Sequence, residues 1–418
     1  MNTELIICRL IVTRAHCFPV NMLEMMKRGP IPRRYFLFGT LAAGWPSSAR
    51  SAPRRKILIF LVDGFGPDYL ERSEMPNLKR ICREGGFKVG RSVIPSVTNV
   101  NNASLVTASF PKDHGITTNF HFDRTTGRSF EMESSEFLLR PTIFERARRI
   151  GWRTALVTSK DKVRTLCARG ANVSVSAEKP DSAMAGVIGK QESMYSAEVN
   201  FWTLRAARHL LKSGDIDLMY LSTTDYMMHT YAPEEEPSLR HLATLDKMLA
   251  DIVDDHPKIE LYLTADHGMN AKTEALDLAL VLKAKAIVAE AVPIIRDAHM
   301  VHHQNLGGAC YVYLKRIADL PKAMEALKAT AGVEEVYDAK TAAKLFHLHP
   351  ERIGDIFALS AKHVAMGNLT VIREPAKVRS HGSRHEAAVP LIVFGRKSDM
   401  RSYEYNVDLT RKLDLENS

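Results

Sequence analysis

Asp225-Tyr-Met-Met-His229 places a carboxylate and an imidazole four residues apart. On a helical turn the two side chains share a face and can grip one cation. That spacing also arises by chance. Thr264-Ala-Asp266-His267-Gly268 is more demanding, because two adjacent ligand-type side chains need a sharp turn, which glycine allows, to reach one metal. A buried, hydrogen-bonded Asp-His turn would explain this pair on its own. Arg379-Ser-His381-Gly382 adds a second His-Gly loop, and Asp63 closes the apolar run 56–62 with an Asp-Gly step. Together these residues form two sets of carboxylate and imidazole ligands. Oxygen and nitrogen donors of this kind suit two divalent ions, Zn²⁺ first, with Mn²⁺ or Fe as alternatives.

Thr98 lies in Pro95-Ser-Val-Thr98-Asn-Val-Asn-Asn102, a turn-rich stretch ahead of a helical segment at 103–108. A hydroxyl at a helix N-terminus sits among free N–H groups and the positive end of the dipole, which favour a phosphoryl group. Beside a metal, such a hydroxyl becomes a usable nucleophile. The plainer reading is a helix N-cap.

These residues need a frame that brings them together. The run 56–62 is apolar on both faces, as in a central parallel strand. Similar runs occur at 153–158, 217–222, 260–264 and 389–395, separated by helical segments at 143–150, 195–213 and 236–254. The alternation predicts an α/β fold: a doubly wound, mostly parallel sheet with helices on both faces. Ligands in such sheets bind beyond the carboxyl ends of the strands, where Asp63, Asp225, Asp266 and His267 fall. Residues 271–375 break the pattern, with strands at 310–314 and 332–337 and a helix at 320–330. They read as an inserted α+β cap within a catalytic domain spanning 53–418.

Composition narrows the partners. Seven basic and two acidic residues in 1–52 account for +5 of the net charge of +9. The remaining +4 is weak support for a nucleic-acid partner and suits a small anionic substrate. The five cysteines, Cys8, Cys17, Cys82, Cys167 and Cys310, are scattered without a CxxC pair, so neither a disulfide framework nor a thiolate metal site is expected. No apolar run is long enough for a stable membrane anchor. In the leader 1–52, Arg33-Arg34 precedes an apolar run at 35–45, and small residues lead to Ala49 and Ala52. This resembles a twin-arginine export signal and implies a periplasmic location; a disordered basic leader on a cytoplasmic protein is the alternative. Translation starting at Met22, Met25 or Met26 would suit the signal's position.

The ordered motifs Val-Asp63-Gly, Pro-Ser-x-Thr98-Asn-x-Asn-Asn, His114-Gly-Ile-x-x-Asn119, Thr-Asp225-x-x-x-His229, Ala-Asp266-His267-Gly-Met and Ser-His381-Gly resemble the alkaline phosphatase superfamily. More narrowly they resemble its nucleotide pyrophosphatase/phosphodiesterase branch. Thr158-Ser-Lys160-Asp-Lys162, Ser176-Ala-Glu-Lys179, Val301-His-His-Gln-Asn-Leu-Gly and Arg352-Ile-Gly-Asp355 are most similar to the phosphonoacetate hydrolases in that branch.

The resemblance implies roles. One metal is held by Asp225, His229 and His381. The other is held by Asp63, Asp266, His267 and the Thr98 oxygen. Thr98 is the nucleophile, Asn119 hydrogen-bonds a phosphoryl oxygen, and Lys160 and Lys162 bind the substrate carboxylate. The expected reaction is C–P bond hydrolysis of phosphonoacetate to acetate and phosphate. A phosphodiesterase or nucleotide pyrophosphatase is the alternative, and a non-catalytic phosphonate-binding protein a remote one. A homodimer is compatible with all three. Without the resemblance, Lys160-Asp-Lys162 reads as a solvated loop. His299, His302 and His303 read as structural or pocket-lining residues rather than a third metal site. His385-Glu386 reads as a rival ligand or a support behind the ligands, and Met227-Met228 as packing.

Overall fold

The computed structural model describes residues 55–296, 303–413 and 415. The leader 1–52, with its arginine pair, lies outside the described residues, as do His299 and His302.

A seven-stranded sheet forms the frame, in the order Gly86–Arg91, Ala388–Phe394, Ile259–Thr264, Lys56–Leu61, Leu218–Ser222, Thr154–Thr158, Val173–Ser176. The last five strands are mutually parallel. Every residue of Thr154–Thr158 and Leu218–Ser222 is buried, as is Lys56–Leu61 apart from its first residue. Burial of alternate residues on both sides means that helices cover both faces, which is why these strands read as unbroken apolar runs. Each fully buried Ile or Leu contributes about 1.5–3 kcal/mol relative to exposure.

Ala388–Phe394, expected as one more parallel strand, runs antiparallel to both neighbours. The chain enters it from the His381 loop at the carboxyl edge of the sheet, so it can only run back. Gly86–Arg91 and Val173–Ser176 were not legible as strands, since their exposed and polar residues blur the pattern.

Residues 270–380 carry two smaller sheets. One is four-stranded and antiparallel: Ala289–Pro293, Ala309–Leu314, Ile356–Ser360, Val333–Asp338. The other orders Val364–Met366, Asn270–Leu276 and Arg373–Ser380. Hydrogen bonds fasten this region to the loop before Asn119. Tyr311 Oη donates to Thr117 O (3.0 Å), Thr117 Oγ1 to Arg352 O (2.6 Å), and Arg352 Nη1 to Gly115 O (2.9 Å).

Candidate metal centre and active site

Three strand ends supply most of the side chains. Asp63 follows Lys56–Leu61, and its N–H donates to Thr223 Oγ1 (3.0 Å). Gly64 has φ +73°, and a Cβ there would stand 3.1 Å from Asp225 Cβ. Glycine lets the chain turn with two carboxylates side by side. Asp225 follows Leu218–Ser222 and opens the helix Tyr226–Thr230, so His229 N–H bonds back to Asp225 O (3.0 Å). Asp266 and His267 follow Ile259–Thr264, and Gly64 N–H donates to Asp266 Oδ1 (3.1 Å). His381 follows Arg373–Ser380. Gly382 beyond it has φ +118°, where a side chain would collide with Ile294.

The side chains converge as two buried triads, Asp225 with His229 and His381, and Asp63 with Asp266 and His267. Within each triad the ligand atoms lie within 4.8 Å of one another. Asp225 Oδ2 is 3.0 Å from His229 Nε2. His267 Nε2 is 3.4 Å from Asp63 Oδ1 and 3.3 Å from Asp266 Oδ2.

The histidines fix their own chemistry. Nδ1 of His229 meets Arg379 O (2.6 Å), Nδ1 of His267 meets Gly268 O (3.0 Å), and Nδ1 of His381 meets Ser96 O (2.8 Å). A carbonyl only accepts, so each Nδ1 carries the proton and each Nε2 turns a lone pair into its triad. Asp63 Oδ1, Asp266 Oδ2 and His267 Nε2 are buried without a hydrogen-bond partner. Orphaned acceptors of this kind are costly unless a cation meets them. The donor set thus fits divalent metal ions.

Burial shapes the electrostatics. It raises the Asp63 carboxyl well above its ordinary range, helped by the Asp225 and Asp266 carboxylates. It pushes Asp266 up to about 6 and holds His267 and His381 below the usual imidazole value. Neutral imidazoles are the ligating form.

Thr98 begins the helix Thr98–Thr107, and Val97 holds the cap position. The helix starts earlier than the sequence suggested, and the Thr98 hydroxyl is not a cap. The asparagines after it hold the loop. Asn101 Oδ1 accepts from Val93 N–H (2.8 Å) and its Nδ2 donates to Val93 O (3.0 Å). Asn102 Nδ2 donates to Thr98 O (2.9 Å), and its Oδ1 accepts from Tyr220 Oη (2.8 Å). Asn99 N–H donates to Asn119 Oδ1 (3.1 Å), which orients the Asn119 amide. Thr98, Asn119, Lys160, Lys162 and His303 line one small cavity beside Asp225 and His381, and Ile295 supplies an apolar wall.

Lys160 is only 3% exposed, which removes the solvated-loop reading for it. Its Nζ donates to Asp63 Oδ2 (2.7 Å) and Asp225 Oδ1 (2.6 Å). Burial opposes its charge, but those two carboxylates prevail and hold the ammonium protonated. Lys162 is half-buried at the cavity wall.

Glu386 is not a rival ligand. Its carboxylate is engaged by Lys272 Nζ (2.8 Å), Asn270 Nδ2 (2.8 Å), Ser383 N–H (3.0 Å) and Ser383 Oγ (2.7 Å). His385 is exposed and meets Glu334 at 2.6 Å. Lys272 gave no sequence signal, because a lysine on an alternating strand reads as a solvated one. Met227 and Met228 are buried in the core.

The family model for type I phosphodiesterase / nucleotide pyrophosphatase matches residues 57–384, most of the chain. The chain belongs to this family. As a member of this metal-dependent hydrolase family, it carries both candidate metal-binding triads within the matched residues. The phosphonoacetate hydrolase of Sinorhizobium meliloti, solved with phosphonoacetate, is 32% identical with a TM-score of 0.79, over 86% of this chain and 95% of that one. Murine ectonucleotide pyrophosphatase / phosphodiesterase 5 shares the fold, with a TM-score of 0.63 at 17% identity over 85% of this chain and 93% of that one. Among curated relatives, a bis(5'-adenosyl)-triphosphatase of Xenopus laevis is 28% identical over 55% of this chain and 50% of its own length. A venom phosphodiesterase of Naja atra is 27% identical over 54% of this chain and 28% of its own. The chain thus spans about half the length or less of these two curated relatives.

Proposed function

We propose that the protein hydrolyses the C–P bond of phosphonoacetate to acetate and phosphate, with Thr98 as nucleophile at a two-metal site. The observation that carries this reading is the lining of one cavity by Thr98, Asn119, Lys160 and Lys162. A phosphodiester substrate has no use for the Lys162 ammonium at that place, beside the Lys160 charge. The likeness to a phosphonoacetate hydrolase over nearly its whole length supports it.

Two divalent ions, most simply Zn²⁺, would be held by Asp225, His229 and His381 and by Asp63, Asp266, His267 and the Thr98 oxygen. When bound they supply Lewis-acid stabilisation of phosphoryl charge and acidify the Thr98 hydroxyl. Thr98 Oγ gives its proton to water and attacks phosphorus. The C–P electron pair leaves on the CH₂ carbon and delocalises into the carboxylate as an enolate. The Lys162 ammonium, beside the Lys160 charge, stabilises that developing negative charge. The carbon takes a proton from water to give acetate. Asn119 Nδ2 donates to a phosphoryl oxygen, and water then releases phosphate from Thr98.

A phosphodiesterase or nucleotide pyrophosphatase activity is the second reading, favoured by the family and by the curated relatives. The two separate in one assay. The purified protein with Zn²⁺ is given phosphonoacetate, with phosphate release as readout, or an aryl nucleotide diester, with nitrophenol release. Rapid diester turnover with none of phosphonoacetate sinks the first reading.

The proposal takes 1–52 as an export leader and 53–418 as the catalytic domain with 271–375 as its cap. Its partners are a small anionic substrate and no nucleic acid, with a second copy of the chain compatible. Among the described residues no helix is long and apolar enough to cross a membrane. Periplasmic export, with the cytoplasm as alternative, is tested by Arg33→Lys with Arg34→Lys; an unchanged location removes the signal.

A further inference from the structure

Asp63 and Asp225 each divide their two oxygens between different partners. Asp63 Oδ1 faces His267 Nε2 at 3.4 Å, and Asp225 Oδ2 faces His229 Nε2 at 3.0 Å and His381 Nε2 at 3.8 Å. The opposite oxygens, Asp63 Oδ2 and Asp225 Oδ1, both accept from Lys160 Nζ. One ammonium therefore spans the two triads without competing for the oxygens that face the imidazoles. Its backbone is anchored. Lys160 follows the strand Thr154–Thr158 and caps the helix Asp161–Cys167. The preceding Ser159 Oγ bonds Asn200 Oδ1 and Thr203 Oγ1, both at 2.8 Å.

We propose that Lys160 is a positioning residue, a built-in cation that ties Asp63 to Asp225 and holds both triads in shape before any divalent ion arrives. Asp63, Asp225 and Asp266 are buried together, and two or more unpaired carboxylates at that depth repel one another and resist desolvation. Lys160 offsets this from the side remote from the histidines. Contact with the substrate carboxylate then falls chiefly to Lys162. This inference rests on reading the triads as the metal centre.

The test reads unfolding rather than turnover. Wild type, Lys160→Met and Lys162→Met are stripped with a chelator, and each thermal midpoint is measured metal-free and after Zn²⁺ addition. Lys160→Met should lower the metal-free midpoint by about 5 °C or more. Its Zn²⁺-induced rise should exceed that of wild type, because bound ions replace the missing charge. Lys162→Met should shift neither midpoint and should raise KM for phosphonoacetate. Adding Asp63→Asn to Lys160→Met should recover metal-free stability, since it relieves the repulsion; this variant also decides the matter if Lys160→Met alone is too unstable to purify metal-free. A Lys160→Met protein with a wild-type metal-free midpoint and a wild-type response to Zn²⁺ overturns the role of Lys160 alone. A wild-type protein whose midpoint ignores Zn²⁺ overturns the metal centre and this inference with it.

Discussion

His267 and His381 lie ring on ring, their centroids 3.4 Å apart and their planes 7° from parallel, although they belong to different triads. The stack sets the two triads side by side, while Nδ1 of each ring is tied to a separate backbone carbonyl. Replacing His381 by Ala removes a ligand from the Asp225 triad only. Elemental analysis should then find about one bound ion per chain where the two-ion reading gives two. An unchanged metal content would exclude His381 as a ligand.

In the proposed reaction Thr98 attacks phosphorus and Asn119 stabilises the phosphoryl charge. Thr98→Ala should reduce kcat by at least about 10³-fold, and no phosphorylated protein should accumulate in rapid-quench samples. Asn119→Ala should cost on the order of 10²-fold in kcat, as loss of one oriented donor does. Near-normal turnover by Thr98→Ala would rule out the covalent route.

The Lys272–Glu386 pair is completely buried. It joins the strand after His267 to the loop after His381. Glu386→Gln would leave the Lys272 ammonium buried without its counter-charge and should destabilise the fold by about 3–5 kcal/mol. Burial opposes the Glu386 charge, but Lys272 prevails and holds the carboxyl below its ordinary value of 4.5. A depressed acid stabilises the fold fully above the unfolded value and loses that contribution as pH falls toward the folded one. The gap in denaturation midpoint between wild type and Glu386→Gln should therefore narrow as pH falls below 4.5. A constant gap down to pH 3 would contradict this.

His241 is buried, and neither ring nitrogen has a hydrogen-bond partner. Burial lowers its pKa from 6.5 to about 4. The folded chain resists protonation that the unfolded chain accepts, so stability declines as pH falls from about 6.5 toward 4. His241→Leu should flatten that acid limb, by up to about 3 kcal/mol at pH 4, and leave activity near its wild-type value. An identical acid limb in the variant would show that His241 does not govern it.

The candidate ligands were legible because chemistry and topology coincide at them. Asp63, Asp225 and Asp266 each follow a largely apolar strand, and a carboxylate just beyond such an edge stands out. Thr98 was placed just outside its helix because Thr-Asn-Val-Asn-Asn has poor helix propensity. Side-chain bonds of Asn101 with Val93 and of Asn102 with Tyr220 override that preference. The link from Lys160 to Asp63 and Asp225 was hidden for a different reason. Sequence spacing says which residues approach a strand edge, not which of a carboxylate's two oxygens a lysine takes. The antiparallel last strand and the Glu386 support depend on the chain's path through residues 270–380, where the alternation of strand and helix gives no guide.

The order of the ligands along the chain also sets an order in time. Asp63 leaves the ribosome first, Asp266 and His267 follow, and His381 emerges only after the segment 270–380 has been made. A nascent chain can therefore complete the Asp63 triad well before the Asp225 triad. Any premature stop before residue 381 leaves the Asp225 triad one side chain short.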